Sequence, residues 1–409
     1  MARPIIAGVS MTRFGKHMET GLKALGREAV EGAIGDAGIQ KEDLEAAFVG
    51  NAMAGLITGQ ECIRGQVVLR SAGIGAIPVI NVENACASAA TALHQASAMV
   101  AAGVYDIALA LGVEKLYHAE KKKSFQAIGS AVDTEEMARI VAELKAKAKQ
   151  QGADKASGGA GEKRSMFMDI YAQTARRYME KSGATARHFA EVAAKNSVHG
   201  SLNPNAQFRK AMTAEEVLGE PMIAEPLTRP MCSPIGDGAA AAVIVSEKKA
   251  RELGIVSPVY IDACVLRSGW DHRSEEEDTT ERCANEAYEL AGIGPEDLSV
   301  VECHDAAAPA ELTTYEKLGM CDKGGGPELL DKGETKLGGR VPFNPSGGLL
   351  RKGHPVGATG LAQIVELVEQ LQGRCGQRQI EGARVGLAQN GGGSIGNDAA
   401  AMCVTIVSR

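Results

Sequence analysis

One cysteine, two histidines and a run of glycines are the parts of this chain best suited to chemistry. Cys86 lies in Asn84-Ala85-Cys86-Ala87-Ser88, after a short apolar run (77–80) and before an alanine-rich stretch reaching Val100. That pattern predicts a strand, a sharp turn and a buried helix, with the cysteine at the turn. Helix starts carry unpaired N–H groups and partial positive charge, so a thiol there ionises more readily, and the thiolate is the reactive form. The alternative is a buried cysteine acting as a small hydrophobe. His304 ends an apolar run (299–303) and precedes Asp305. It is either a satisfied core residue or a base, and strand alternation sends Cys303 to the face opposite His304. His354 stands between Gly353 and Pro355, in a loop that passes Gly360 into a helix ending at Leu371. Glycine lets that backbone turn sharply, Pro355 fixes the helix entry, and the projecting imidazole is placed as a general base. Gly391-Gly392-Gly393 can present bare N–H groups to an oxyanion or serve as a plain loop. No Gly-Lys-Ser/Thr follows, which disfavours a phosphate loop.

The elements that would position these groups are legible as a duplication. Ala33, Ala37, Gly38, Ile39, Glu42, Asp43 and Leu44 recur in order as Ala287, Ala291, Gly292, Ile293, Glu296, Asp297 and Leu298. Each copy reads as a helix end, a turn and the start of a following helix, with an apolar strand after it, which predicts two similar βα halves packed together. Residues 5–9 read as the first strand, 21–37 as a helix, and 107–111 as a central strand apolar on both faces. From Lys115 to Met231 the chain is richer in charge and loses the strand–helix alternation. We expect an inserted, mainly helical loop domain there. A helix should start at Asp133-Thr134-Glu135-Glu136, a Gly/Ala/Ser linker should span 152–161, and Lys121-Lys122-Lys123 should form a solvated face. The expected division is an N-terminal half at 1–114 completed by 232–254, the loop domain at 115–231, and a C-terminal half at 255–409. The acidic run 275–278 should begin an exposed helix.

Bulk properties narrow the class. The 409 residues suffice for two or three domain-sized units, and 44% hydrophobic with 23% charged residues is ordinary for a globular protein. A net charge of −7 and 4% aromatic residues argue against nucleic-acid binding. The apolar part of the N-terminus is too short for a signal peptide, and no run reaches the length of a membrane span. Nine cysteines without a Cys-x-x-Cys pair disfavour a zinc site or a disulfide scaffold. We therefore expect no metal, no membrane association and a cytoplasmic setting.

Taken together, Asn84-Ala85-Cys86-Ala87-Ser88, Asp237-Gly238-Ala239-Ala240-Ala241, His304-Asp305, Asn344-Pro345-Ser346-Gly347-Gly348 and Gly353-His354-Pro355 through Gly360 resemble the thiolase superfamily. The branch is that of the sterol-carrier-protein thiolases, to which residues 311–319 are also similar. The resemblance runs in order along nearly the whole chain. It implies an α/β thiolase fold: duplicated βαβαβαββ halves in a five-layer αβαβα arrangement, with the loop domain inserted in the first. It also implies roles. Cys86 would form an acyl thioester, His354 would activate it, and His304 with His354 would hold the enolate oxygen. The N–H groups of Cys86 and Gly391 would form a second oxyanion hole. Coenzyme A and acyl-CoA enter as substrates, with no covalently bound cofactor. The CoA-binding residues are not identified by the motifs.

One departure from the family pattern matters. Thiolases usually carry a second cysteine as acid and base, at positions that here hold Ala306 and Gln389 or Asn390. Neither alanine nor an amide transfers a proton near neutral pH. The proton on the substrate's α-carbon would then move through His304, His354, water or the substrate itself. Similar chains lacking this cysteine often work with a separate small zinc-ribbon/OB-fold (DUF35-like) subunit, which would carry any zinc, around a homodimeric or larger core. The expected reaction is cleavage or formation of a C–C bond in a 3-oxoacyl-CoA, with a bulky or aromatic acyl-CoA such as benzoylsuccinyl-CoA as a candidate substrate. The alternatives are an acetyl-CoA C-acetyltransferase supplying acetoacetyl-CoA, an aldolase working as a lyase, and a non-catalytic subunit of a thiolase-like complex. A decarboxylating ketosynthase fits poorly, since its histidine loop usually has Thr where Pro355 sits.

Overall fold

The computed structural model describes residues 3–150, 166–273 and 276–409. The first-half strands are β1 (Ile5–Met11), β2 (Ala46–Gly50), β3 (Val79–Val82) and β4 (Ile107–Glu114). After the short pair β5 (Met222–Ala224) and β6 (Leu227–Thr228) comes β7 (Gly238–Val245). The second half contributes β8 (Val259–Ser268), β9 (Val300–Glu302), β10 (Val385–Gly392) and β11 (Ala401–Ser408). All but β5 and β6 join one sheet in the order β3-β2-β4-β7-β1-β8-β11-β10-β9.

That order contains the same pattern twice. β7 pairs antiparallel with β1 and β4, and β2 runs parallel to β4. Correspondingly, β11 pairs antiparallel with β8 and β10, and β9 runs parallel to β10. The halves meet where Ile5 pairs with Tyr260 and Ile6 with Val259. The sequence repeat is the local reason for the likeness. The helices Leu22–Ala37 and Thr279–Ala291 both end at a left-handed glycine, Gly38 (φ 67°) and Gly292 (φ 68°). Each glycine leads into a single turn, Lys41–Asp43 or Pro295–Asp297, and then into β2 or β9. The second half departs at one place. Among the described residues no strand stands where β3 would have its counterpart, and Phe343 makes only an isolated parallel bridge with Val301. Pro342 and Pro345 flank that bridge and Asn344 turns left-handed (φ 53°), so the chain leaves the sheet at once.

Two helices, Ser88–Ala101 and Thr359–Leu371, lie between the two halves of the sheet and share one apolar core with both. Outside them, Leu22–Ala37 covers the first half and Thr279–Ala291 the second. The result is five layers, helix, sheet, helix, sheet, helix. Small residues let the middle layer close up. A Cβ on Gly360 would come within 2.7 Å of the Ala90 nitrogen, and one on Gly112 within 2.6 Å of the Ala89 Cβ.

Between β4 and the turn before β7 the chain forms the helices Lys121–Ile128, Thr134–Gln150, Met166–Ser182, Ala186–Ser201 and Ala214–Leu218, plus the β5–β6 hairpin. Asp133 starts the second of these by accepting from the Glu135 and Glu136 N–H groups. Phe189, Val192 and Tyr178 of this insertion pack against Leu312 and Tyr315 of the second half. Lys121, Lys122 and Lys123 are exposed, as expected of a solvated face. The linker expected at 152–161 and Glu275 of the acidic run lie outside the described residues. The helix after that run starts at Thr279 with Asp278 as its cap, and it buries Cys283, Ala284 and Ala287 on its inner face rather than standing free. No helix among the described residues is long and apolar enough to cross a membrane.

Candidate active site

Cys86 sits in the tight turn Ala85–Ala87 that opens the first central helix, half-buried. Ala85 adopts φ 46°, a left-handed conformation that a side chain disfavours, and the turn is held around it. The Ser88 hydroxyl accepts from the Asn84 N–H (2.9 Å) and donates to the Ala85 carbonyl (2.7 Å). The expectation of an easily ionised thiol is corrected here. Burial pushes the Cys86 thiol up to about 12, outweighing the lowering pull of the Gly393 and Cys86 amides, while the Glu114 and Glu83 carboxylates push it further up. The sulfur therefore keeps its proton until a base takes it.

That base is in contact: His354 Nε2 lies 3.2 Å from Cys86 Sγ. The far nitrogen, Nδ1, is 2.7 Å from Thr359 Oγ1, and the Thr359 hydroxyl donates to the Pro355 carbonyl at 3.0 Å. With the hydroxyl hydrogen so used, Nδ1 carries the ring proton and Nε2 turns its lone pair to the sulfur. His304 makes the opposite choice. Its Nδ1 accepts from the Asn390 side-chain amide at 3.1 Å, which leaves Nε2 as a donor. The two rings meet edge to face with centroids 5.2 Å apart. Burial lowers His354 well below its ordinary value, and the neighbouring His304 lowers it further. Burial alone lowers His304 to about 4.

One sulfur and two imidazoles from distant parts of the chain thus converge, each offering an atom within 4.8 Å of the others. Such spacing also suits a soft metal ion. A second cluster with ligand spacing, Glu366, Glu369 and Cys375, has its carboxylates tied to Arg378 at 3.0 and 2.9 Å. Cys303 faces away from the site. It is fully buried, with its sulfur 3.3 Å from the Asn344 amide. Gly391 lines the cavity and pairs with Met402 in the sheet, but the neighbouring glycine amide that reaches the Cys86 sulfur is that of Gly393, two residues on.

Buried polar groups that the sequence analysis did not single out hold these loops. Glu114 ends the wholly buried β4 and accepts from Gly357 N (2.9 Å), Ala52 N (3.2 Å) and the Asn51 amide (3.1 Å), clamping the histidine loop to the first half. Burial raises its carboxyl to about 7, and the backbone N–H groups of Met53, Gly357, Ala52 and Lys115 oppose that rise. Lys352 and Glu302, both fully buried, pair at 3.1 Å, and Lys352 also donates to the Ala362 carbonyl. Behind His304, Asp305 accepts from Asn196 (2.9 Å) and Leu349 N (2.6 Å), which ties the insertion to the second half. A charge inside an apolar run, as at Glu114, is the sequence signal for such anchors.

The three groups open on a cavity of about 1150 Å³. Phe125, Phe167, Tyr171, Phe208 and Met168 of the insertion form much of its wall, and Lys16, Arg209, Lys210 and Arg229 also line it. A wide apolar chamber with cations at its edge suits an anionic ligand carrying a large apolar part.

Residues 4–248 match the family model of the thiolase N-terminal domain, and residues 271–405 match the thiolase C-terminal domain-like model. The chain is 39% identical over 399 residues to the acetyl-CoA acetyltransferase of Methanothermobacter thermautotrophicus, covering 96% of this chain and 97% of that one. It is 37% identical over 383 residues to the benzoylsuccinyl-CoA thiolase subunit BbsB of Thauera aromatica, covering 92% and 91%. A solved structure described as the Ltp2-ChsH2(DUF35) aldolase superposes with a TM-score of 0.76 at 24% identity, over 99% of this chain and 97% of that one. That likeness concerns the fold.

Proposed function

The chain belongs to the thiolase family, and on that footing we propose that it makes or breaks the C2–C3 bond of a 3-oxoacyl-CoA through an acyl thioester on Cys86. The observation that carries this reading is the 3.2 Å contact between a protonated thiol and the lone pair of a neutral imidazole. In the cleaving direction, His354 Nε2 takes the Cys86 proton as the sulfur attacks the 3-keto carbonyl. The tetrahedral oxyanion forms beside the amides of Cys86 and Gly393, and each preorganised donor at such an oxygen is worth about 3–4 kcal/mol. Collapse expels the enolate of an acyl-CoA, whose oxygen faces the Nε2–H of His304 and the newly protonated His354. Coenzyme A then takes the acyl group and frees Cys86.

The substrate we propose is a bulky or aromatic acyl-CoA such as benzoylsuccinyl-CoA. Support comes from the aromatic, methionine-lined chamber and from the Thauera relative. An acetyl-CoA acetyltransferase role is the alternative, on the Methanothermobacter relative. The name of one relative as a subunit, and of a structural neighbour paired with a DUF35 protein, supports a small partner subunit. Purified chain, with and without such a partner, should consume a 3-oxoacyl-CoA only when free CoA is present. Cleavage without CoA would instead indicate a lyase, and no turnover with any partner would indicate a non-catalytic subunit.

A further inference from the structure

The proposed reaction leaves one proton without a carrier. Breaking the C2–C3 bond leaves an electron pair on C2 of the departing acyl-CoA, and that carbon must be protonated. His354 holds the proton taken from Cys86, and His304 presents its Nε2–H to the enolate oxygen. Ala306, Gln389 and Asn390 have no proton to give near neutral pH.

A strap formed by Cys232-Ser233-Pro234-Ile235 runs between the two histidine loops and is bonded to both. On one side Cys232 bridges Ala307, and the Ser233 N–H donates to the Ala306 carbonyl at 3.0 Å. On the other, the Pro234 carbonyl accepts from the His354 N–H at 3.2 Å, and Ile235 bridges His354. Cys232 is half-buried, pairs with Ala307 and lines the same cavity as Cys86, His304 and His354.

Resting on the thioester reading above, we propose that Cys232 is the acid and base of this reaction. Its thiol gives a proton to C2 as the C2–C3 bond breaks, which leaves a Cys232 thiolate and a neutral acyl-CoA. The thiolate then takes the proton of the incoming CoA thiol. The CoA sulfur attacks the acyl-Cys86 carbonyl, the C–Sγ bond breaks, and Cys86 recovers its proton from His354. Protons and electron pairs close over the cycle with no further reactant. Burial pushes the Cys232 thiol up to about 12, so it enters the cycle protonated. Tyr171 lines that cavity together with Cys86 and Cys232.

The test separates carbon protonation from sulfur acylation. Wild type, Cys232→Ser and Cys232→Ala are incubated with acetyl-CoA, and in parallel succinyl-CoA, in D2O. Mass spectrometry follows deuterium at C2 and the acyl adduct on Cys86. Both variants should still form the acyl adduct on Cys86, only more slowly because the departing CoA thiolate lacks the Cys232 proton, while α-exchange falls by about 10²-fold or more. Exchange at the wild-type rate in both variants overturns the assignment alone. Loss of acylation together with exchange in the serine variant, at an unchanged melting temperature, also overturns it, because Cys232 would then be building the nucleophile's pocket. A wild-type chain that forms no adduct and exchanges no proton overturns the reaction class and this assignment with it.

Discussion

A thiol held neutral by burial depends on the base beside it, so the orientation of His354 decides the rate of the first step. Thr359 sets that orientation through one hydrogen bond of 2.7 Å. Thr359→Val keeps the shape and removes the acceptor, and a bond worth about 1–1.5 kcal/mol predicts roughly tenfold slower acylation of Cys86 in stopped-flow assays. The pH dependence follows from the two depressed imidazoles. Both stay neutral well below 6.5, so acylation should show no inflection as pH falls from 8 through 6.5; a break at 6.5 would contradict the burial argument. Stability carries the same sign. The unfolded chain protonates its histidines near 6.5 while folded His304 resists until about 4, so the unfolded state binds more protons in that window and stability drops as pH is lowered through it. His304→Gln should lose less stability than wild type between pH 7 and 5, measured by urea unfolding. At this scale the sequence showed Cys86 at the turn between an apolar run and an alanine-rich stretch, His304 at the end of an apolar run, and His354 between glycine and proline. It did not show Cys232 or Thr359, nor that Gly393 rather than Gly391 reaches the sulfur, because these parts depend on which loops fold back beside one another.

The elements explain why three remote motifs share a point. Both central helices open with a tight turn, and their starts are locked by groups that tolerate little change. Gly360→Ala would drive a methyl group to 2.7 Å from the Ala90 nitrogen, and overpacking of this kind costs about 1–3 kcal/mol, readable as a lowered urea midpoint. Lys352→Met would leave Glu302 charged and unpaired in the core, at a cost of about 3–5 kcal/mol; the double change with Glu302→Gln should recover part of it. Much at this level was legible. Helix ends at Gly38 and Gly292, the buried β4 and the capped start after Asp133 all follow from local patterns. The missing counterpart of β3 was not, because the proline-flanked bridge at Phe343 breaks a repeat that the other strands obey. The ease of ionising Cys86 was misread for a related reason: a helix start lowers a thiol's pKa, and only the packed structure shows how much water it has lost.

On the scale of the whole molecule, the five layers hold the chemistry rigid while the insertion shapes what enters. Its aromatic residues wall the chamber, so acyl-group preference should follow them rather than the catalytic loops. Phe167→Ala and Phe208→Ala should shift relative kcat/KM between acetyl and aromatic acyl-CoA thioesters while Cys86 remains acylable. The central claim is that Cys86 carries the acyl group. Intact and peptide mass spectrometry after brief exposure to an acyl-CoA tests it most directly. One acyl mass on the peptide containing Cys86, absent in Cys86→Ala and discharged by free CoA, is the predicted result. An unmodified Cys86 in a chain that still turns substrate over would contradict it.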